Sequence, residues 1–119
     1  MTALIRLAAI CGLVGVGLGA LGGHRLEPML EEAGRVADWQ TATRYLLIHA
    51  VACLVVGLSG GRVRAIAGWL FGIGALVFAV TLYAICLTGI TKFGIGTPFG
   101  GLAMLGGWAA LLLPGRRQV

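Results

Sequence analysis

The sequence predicts an all-α integral membrane protein: a bundle of four membrane-spanning helices, with a short amphipathic interfacial helix between the first and second spans. Hydrophobic residues make up 59% of the 119-residue chain and charged residues only 11%, and the mean hydropathy is +0.99. Apolar runs long enough to cross a bilayer recur along the chain. The chain is too short for two domains and contains no linker, so we expect one transmembrane domain, residues 1–119.

Residues 4–22 form the first predicted span. At 1.5 Å per residue this run covers roughly 28 Å, about one hydrocarbon core, and its single charge is Arg6. A cleaved signal peptide has a similar pattern, but the three further spans favour a retained helix. Gly15, Gly19 and Gly23 recur every four residues, which predicts a face that another helix approaches closely.

The stretch between the first and second spans is the most polar part of the chain and holds all four acidic residues. Pro28 suits the first turn of a helix, and Glu31 complements its positive end. We therefore predict an amphipathic helix over about residues 28–38, lying on the membrane surface. Glu31 and Arg35 are expected to pair at i,i+4, and Trp39 is interpreted as an interfacial anchor.

Three further spans are predicted over about residues 41–59, 65–89 and 98–113. Asp38 or Thr41 is a suitable N-cap for the second span, and Thr97 for the fourth. The connection between the second and third spans is short, so these helices should be antiparallel neighbours. The predicted helix-packing positions in the last two spans are Gly68, Gly72, Gly100 and Gly107.

Basic residues near the ends of the spans predict the orientation. With four spans, five of the nine Lys and Arg residues share the side of the two termini: Arg6, Arg62, Arg64, Arg116 and Arg117. The other four are Arg25, Arg35, Arg44 and Lys92. The acidic residues of the first loop offset its own basic residues, so the positive-inside rule places both termini in the cytoplasm.

The sequence has no basic stripe with interleaved aromatic residues, so we expect no nucleic-acid partner.

Catalytic and metal-binding chemistry has little support in the sequence. Cys11, Cys53 and Cys86 lie singly in apolar runs, without the spacing of a disulfide framework or zinc site, and are interpreted as small packed residues. The carboxylates all lie in the first loop, and the glycine repeats lack the strand and lysine of a phosphate loop. We expect neither an enzyme nor a cofactor.

One polar cluster is predicted inside the bundle. His49 lies roughly 12 Å along the second span from Thr41, and Tyr83 lies roughly 9 Å from the same membrane surface. The candidate members are His24, Tyr45, His49, Thr81, Tyr83 and Thr97. These side chains either bond to one another and fix the helix register, or form a proton-responsive or ligand-holding pocket. A lone buried histidine is also chemically able to ligate haem.

Four motifs resemble those of the domain-of-unknown-function 423 family, and the resemblance covers nearly the whole chain. The motifs run from Gly19 to His24, from Thr41 to Tyr45 with His49 and Ala50, from Phe78 to Tyr83, and from Thr97 to Gly101 with Gly107 and Trp108. The resemblance implies a small four-helix protein of the bacterial inner membrane, similar to a small mitochondrial transmembrane protein, with no established activity. The family usually has glycine where this chain has Val80.

Two classes of function follow as hypotheses. The first is a non-enzymatic accessory or assembly subunit of a larger inner-membrane complex, because the small-residue faces exceed what one four-helix bundle needs. The alternative is a small oligomeric transporter, channel or lipid- or ligand-binding protein that uses a pocket around His49 and Tyr83. The expected partners are the lipid bilayer and either another membrane protein or further copies of this chain.

Overall fold

The computed structural model describes residues 2–114, which form five α-helices and one short 3-10 helix. The α-helices are α1 (Thr2–Gly23), α2 (Glu27–Ala33), α3 (Val36–Ser59), α4 (Arg62–Thr88) and α5 (Thr97–Leu111), and the 3-10 helix (Thr91–Ile95) joins α4 to α5. No strand occurs within this part of the chain. The prediction of an all-α protein is confirmed. Arg116 and Arg117, which enter the predicted orientation, lie outside the described residues.

Three of the helices are long and apolar enough to cross a membrane. They are α1, α3 and α4, of 22, 24 and 27 residues. α5, in the region of the predicted fourth span, has 15 residues and is therefore roughly 22 Å long. Large apolar side chains face outward from these helices: Leu13 is 76% exposed and Val51 is 62% exposed. This is the surface of a helical membrane protein, since soluble monomers rarely expose so much contiguous apolar area.

The α2–α3 region differs from the sequence prediction in its boundaries. The helix expected over about residues 28–38 ends at Ala33, because Gly34 adopts the left-handed conformation (φ 70°) and its N–H bonds back to carbonyls of α2. α3 then begins at Val36, so Asp38 lies in its first turn and does not cap it. The predicted pair of Glu31 with Arg35 is wrong: Arg35 Nη1 lies 2.9 Å from Asp38 Oδ2.

The start of α5 also differs from the expectation. Thr97 is its first helical residue and does not cap it, because Gly96 occupies the N-cap position without a side-chain bond. The Thr97 hydroxyl bonds instead to another helix, as described below. Pro98 lies in the first turn, where a missing N–H removes no helical hydrogen bond.

α4 is the central helix, because it packs against α1, α3 and α5. α1 also packs along α3, and α5 lies against α4. The core between α1, α3 and α4 includes the fully buried side chains of Cys11, Leu46 and Phe71. Cys11 and the other two cysteines are free and buried.

Glycines permit the closest helix contacts. A Cβ atom on Gly100 would lie 2.5 Å from the backbone nitrogen of Phe78 and 2.6 Å from the carbonyl oxygen of Gly74. The corresponding closest contacts are with Leu47 at Gly15, Thr43 at Gly19, Leu4 at Gly68, Leu7 at Gly72 and Phe71 at Gly107. A Cβ atom on Gly23 would meet no atom within 4 Å, so the packing role predicted for Gly23 does not hold. Gly22, which was not predicted, faces the Trp39 ring.

Candidate functional site

His49 is the centre of a contact between three helices. It lies near the middle of α3 and is 5% exposed. The Trp108 indole N–H, on α5, donates to His49 Nε2 over 3.0 Å, and the ring of Phe71, on α4, lies 5.6 Å from the imidazole between centroids. Trp108 also packs on Phe71 with a centroid separation of 4.7 Å. These contacts connect α5 to α3 across α4.

The partners of His49 define its tautomer. An indole nitrogen can only donate, so Nε2 of His49 must be the unprotonated acceptor. Nδ1 then carries the hydrogen and donates to the Tyr45 carbonyl oxygen, 2.7 Å away. The imidazole is therefore neutral, with both nitrogens bonded. Haem ligation through Nε2, which the sequence leaves open, would require Trp108 to move away.

A second polar contact joins α3 to α4. The hydroxyl groups of Thr43 and Tyr83 lie 2.6 Å apart, and Tyr83 is 4% exposed. The Trp39 ring packs on Tyr83 with centroids 4.4 Å apart, and its indole N–H donates to the Leu18 carbonyl oxygen of α1 over 2.8 Å. Trp39 is only 2% exposed. The sequence interpretation of Trp39 as an interfacial anchor is therefore wrong, because its ring is enclosed between helices.

A third polar contact joins α4 to α5. The Thr81 hydroxyl donates to the Val77 carbonyl oxygen over 2.8 Å. Since its only hydrogen is used there, the Thr97 hydroxyl donates to Thr81 Oγ1 across 2.7 Å. This bond joins the first residue of α5 to α4.

The predicted cluster is thus divided into separate contacts. Tyr45 stacks beside His49 with centroids 6.1 Å apart, but it is 42% exposed. Within residues 2–114 no side-chain hydrogen bond joins His49 to Tyr83 or to the threonine pair. His24 is exposed in the turn after α1 and joins none of these contacts. Among the described residues no buried side-chain nitrogen or oxygen lacks a hydrogen-bond partner.

Trp108, Thr43 and Trp39 complete these contacts, although none was among the predicted site residues. Each carries a hydrogen-bonding group inside an apolar helix, and such a group must find a partner at low dielectric. A hydrogen-bonding side chain within a predicted span is therefore the feature of the sequence by which these three residues could have been identified. Which partner each group meets depends on the helix rotations, which hydropathy does not specify.

A cavity of about 440 Å³ opens between the C-terminal end of α1, α2 and the first turns of α3. Its lining includes Glu27, Glu31, Gln40 and Arg44. Neither His49 nor Tyr83 lines it. This cavity is therefore separate from the predicted cluster.

Removing the Tyr83 hydroxyl tests the second contact. We expect Tyr83→Phe to lower the free energy of unfolding by about 0.6 kcal/mol and at most about 1.7 kcal/mol, the range for side-chain hydrogen bonds between membrane helices. Tyr45→Phe makes the same chemical change at a side chain that is 42% exposed and whose hydroxyl bonds to none of residues 2–114, so it should have no effect. Unfolding in mild detergent, with Thr43→Val completing a double-mutant cycle, measures the coupling. Equal effects of the two tyrosine changes would contradict the assignment.

Comparison with known proteins identifies the family. Residues 18–101 match the family model described as "Protein of unknown function (DUF423)". A UPF0382 membrane protein of Schizosaccharomyces pombe is 38% identical over 117 residues, covering 91% of this chain and 97% of the relative. A UPF0382 membrane protein of Staphylococcus haemolyticus is 34% identical over 116 residues, covering 95% and 94%.

A third relative, the UPF0382 membrane protein YwdK of Bacillus subtilis, is 34% identical over 123 residues, covering 95% of each chain. No solved structure matches the chain significantly. The relatives are named as membrane proteins, in agreement with the three apolar helices of this structure. The family model covers most of the chain and the relatives are matched over nearly their whole length, so this protein belongs to the DUF423 family.

Proposed function

We propose that this protein is a non-enzymatic accessory or assembly subunit of a larger complex in the bacterial inner membrane. The observation that carries the proposal is the short, incompletely covered α5. At 15 residues, or roughly 22 Å, it is shorter than a hydrocarbon core of roughly 30 Å. Such a mismatch is relieved by bilayer thinning or by association with other helices.

The segment before α5 supports association over thinning. The 3-10 helix Thr91–Ile95 has the exposed Lys92 near its start, and its apolar last residue, Ile95, is 71% exposed. Irregular backbone at membrane depth is tolerated only where protein covers it or a water-filled cavity adjoins it. α5 itself presents Phe99, Leu102 and Leu105 at 68%, 64% and 65% exposure. A helix of a second membrane protein seated there would cover both elements.

In this proposal α5 is the fourth span, the helices form a four-span bundle, and both termini are cytoplasmic. Leu4 of α1 lies beside Gly57 of α3 and Gly68 of α4, so Arg6 is at the same end of the molecule as the α3–α4 connection. Arg62, the first residue of α4, is exposed at that end. A basic end without acidic residues favours the cytoplasmic side. α2 would lie at the opposite surface, although its Leu30 is 1% exposed and packs on protein.

The test is gentle extraction of the protein, at its natural level, from its own membrane. Native-gel separation and mass spectrometry should find a larger partner at fixed stoichiometry. A photo-crosslinking residue placed at Leu102 or Leu105 should attach to that partner, whereas one placed at Leu13 or Val16 of α1, equally exposed, should not. Migration alone or as a small homo-oligomer, with no α5-specific adduct, would overturn the proposal.

The second candidate is a small oligomeric transporter, channel or ligand-binding protein that uses the region of His49 and Tyr83. The observation that favours it is His49, a titratable side chain near the middle of an apolar helix, where polar groups are commonly functional. Its two filled hydrogen bonds favour the structural role. Protonation of Nε2 would remove the acceptor for Trp108 and so couple a proton to the α3–α5 contact.

His49→Leu separates the two candidates. For a structural histidine we expect a loss of about 0.6 to 1.7 kcal/mol in the free energy of unfolding, with partner binding intact. Trp108→Phe should cost a similar amount. The double variant should cost less than the sum of the two single variants, because both substitutions remove the same hydrogen bond between Trp108 and His49. Trp69→Phe, at a 42% exposed tryptophan, is the control. A folded His49→Leu protein that loses transport or ligand binding would favour the second candidate.

A further inference from the structure

The cavity between α1, α2 and α3, hereafter the α1–α3 cavity, exists because its α1 wall lacks side chains. Gly19, Gly22 and Gly23 of α1 line it, and the Trp39 ring lies behind Gly22. Its volume of about 440 Å³ lies within the roughly 300–1,000 Å³ typical of small-ligand sites. The remaining lining is mixed: Leu30, Val36 and Trp39 are apolar, and the polar members are Glu27, Glu31, Gln40, Thr43 and Arg44.

Charges of both signs line the α1–α3 cavity. Glu27 and Glu31 lie one helical turn apart on α2, and Gln40 and Arg44 lie one turn apart on α3. Within residues 2–114 the ion pair that forms is that of Arg35 with Asp38. Glu27, Glu31 and Arg44 therefore face the same cavity without pairing across it, so a bound molecule carrying both charges could bridge them.

The position of the α1–α3 cavity indicates where such a molecule would come from. α1 ends and α3 begins beside it, and both helices are long and apolar enough to cross a bilayer. The cavity therefore lies at the depth of lipid headgroups, and α1 continues away from it with exposed apolar side chains such as Val16. This arrangement suits a lipid whose headgroup enters the cavity while its acyl chains follow the helices.

We propose that the α1–α3 cavity binds the headgroup of an amine-bearing zwitterionic phospholipid, of the phosphatidylethanolamine class. The guanidinium of Arg44, with Gln40, would hold the phosphate, since arginine matches the geometry of phosphate oxygens. The primary ammonium has three N–H donors for the carboxylates of Glu27 and Glu31. An anionic headgroup would leave two carboxylates opposed to one cation. A choline headgroup has no N–H to donate.

Lipid titration of the purified full-length protein tests this proposal. Native mass spectrometry in detergent would follow binding of dioleoyl phosphatidylethanolamine, phosphatidylglycerol and phosphatidylcholine. We expect the ethanolamine lipid to bind at least about tenfold more tightly than the other two, which corresponds to the loss of one charge-assisted contact. Comparable binding of all three lipids would overturn the proposal.

Paired variants locate the site. Glu31→Gln and Arg44→Gln should each weaken binding of the ethanolamine lipid by about tenfold. The matched control is Glu32→Gln, because Glu32 is an exposed carboxylate on the same helix that does not line the cavity. If Glu32→Gln weakens binding as much as Glu31→Gln, the cavity is not the site. Glu31 and Arg44 are exposed, so helical circular dichroism should be unchanged in both variants.

Competition with soluble phosphoethanolamine distinguishes a site for a membrane lipid from a site for a soluble molecule with the same headgroup. For a lipid site, millimolar phosphoethanolamine should fail to displace the lipid, because the acyl chains contribute most of the binding. Displacement at concentrations comparable to that of the lipid would overturn the lipid assignment. A bound accessory partner is not required for any of these measurements, so their outcome is independent of the subunit role proposed above.

Discussion

Gly100→Ala is expected to destabilise the protein by about 2 kcal/mol, although it adds only one methyl group. The added Cβ would lie 2.5 Å from the Phe78 nitrogen and 2.6 Å from the Gly74 carbonyl oxygen. Both are backbone atoms, which cannot rotate away as a side chain can. α4 and α5 would have to separate along their contact, and that loss exceeds the gain of about 1 kcal/mol from alanine's higher helix propensity.

Gly101→Ala is the matched control for that substitution. Gly101 is the next residue on the same helix, and a Cβ there would meet no atom within 4 Å. The change should be neutral or stabilising, by up to about 1 kcal/mol. Titration of each variant with a denaturing detergent, followed by circular dichroism, gives the free energies of unfolding. If both variants unfold at the same point, the α4–α5 contact is looser than described.

Trp39→Ala is expected to lower the free energy of unfolding by about 3–5 kcal/mol, more than Gly100→Ala. The ring is 2% exposed and fills the space that Gly22 leaves on α1. Its removal leaves a cavity beside Tyr83 and also eliminates the hydrogen bond to the Leu18 carbonyl oxygen. The ring also lies beside the α1–α3 cavity, so lipid binding there should fall as well.

The control for Trp39→Ala is Trp69→Ala, since Trp69 on α4 is 42% exposed and faces outward. That change should alter the free energy of unfolding by less than about 1 kcal/mol. Trp39→Phe keeps most of the ring volume and should lose only the part due to the hydrogen bond, about 0.6 to 1.7 kcal/mol. Equal sensitivity of the two tryptophans to alanine would show that the Trp39 ring is not enclosed between helices, and would favour the interfacial anchor predicted from the sequence.

The prediction of membrane-spanning helices was confirmed for the segments whose length and hydropathy alone require a helix. Runs of 20 or so apolar residues must be helical in lipid, because every backbone N–H and C=O has to be bonded within its own segment. That requirement gave α1, α3 and α4 without any knowledge of their neighbours. Glycine spacing likewise indicated close approach at Gly72 and Gly100, where the structure has little space for a Cβ.

The helix boundaries were harder to predict from residue types, because backbone conformation and not a capping side chain sets the end of α2 and the start of α3. α3 begins five residues before the predicted residue 41, at Val36. Gly34 ends α2 by adopting a left-handed conformation, and no side chain caps α3. Thr97 has the residue type of an N-cap, yet its hydroxyl bonds to Thr81 on α4.

The sequence by itself determined that this chain is a helical membrane protein, because hydropathy and helix length depend only on which residues follow one another. Only the tertiary structure decided which polar groups meet. His49 bonds to Trp108, 59 residues away, and Tyr83 bonds to Thr43, 40 residues away. Such pairings depend on the rotation of each helix about its axis, and in lipid that rotation is set by packing and interhelical hydrogen bonds instead of by a hydrophobic face.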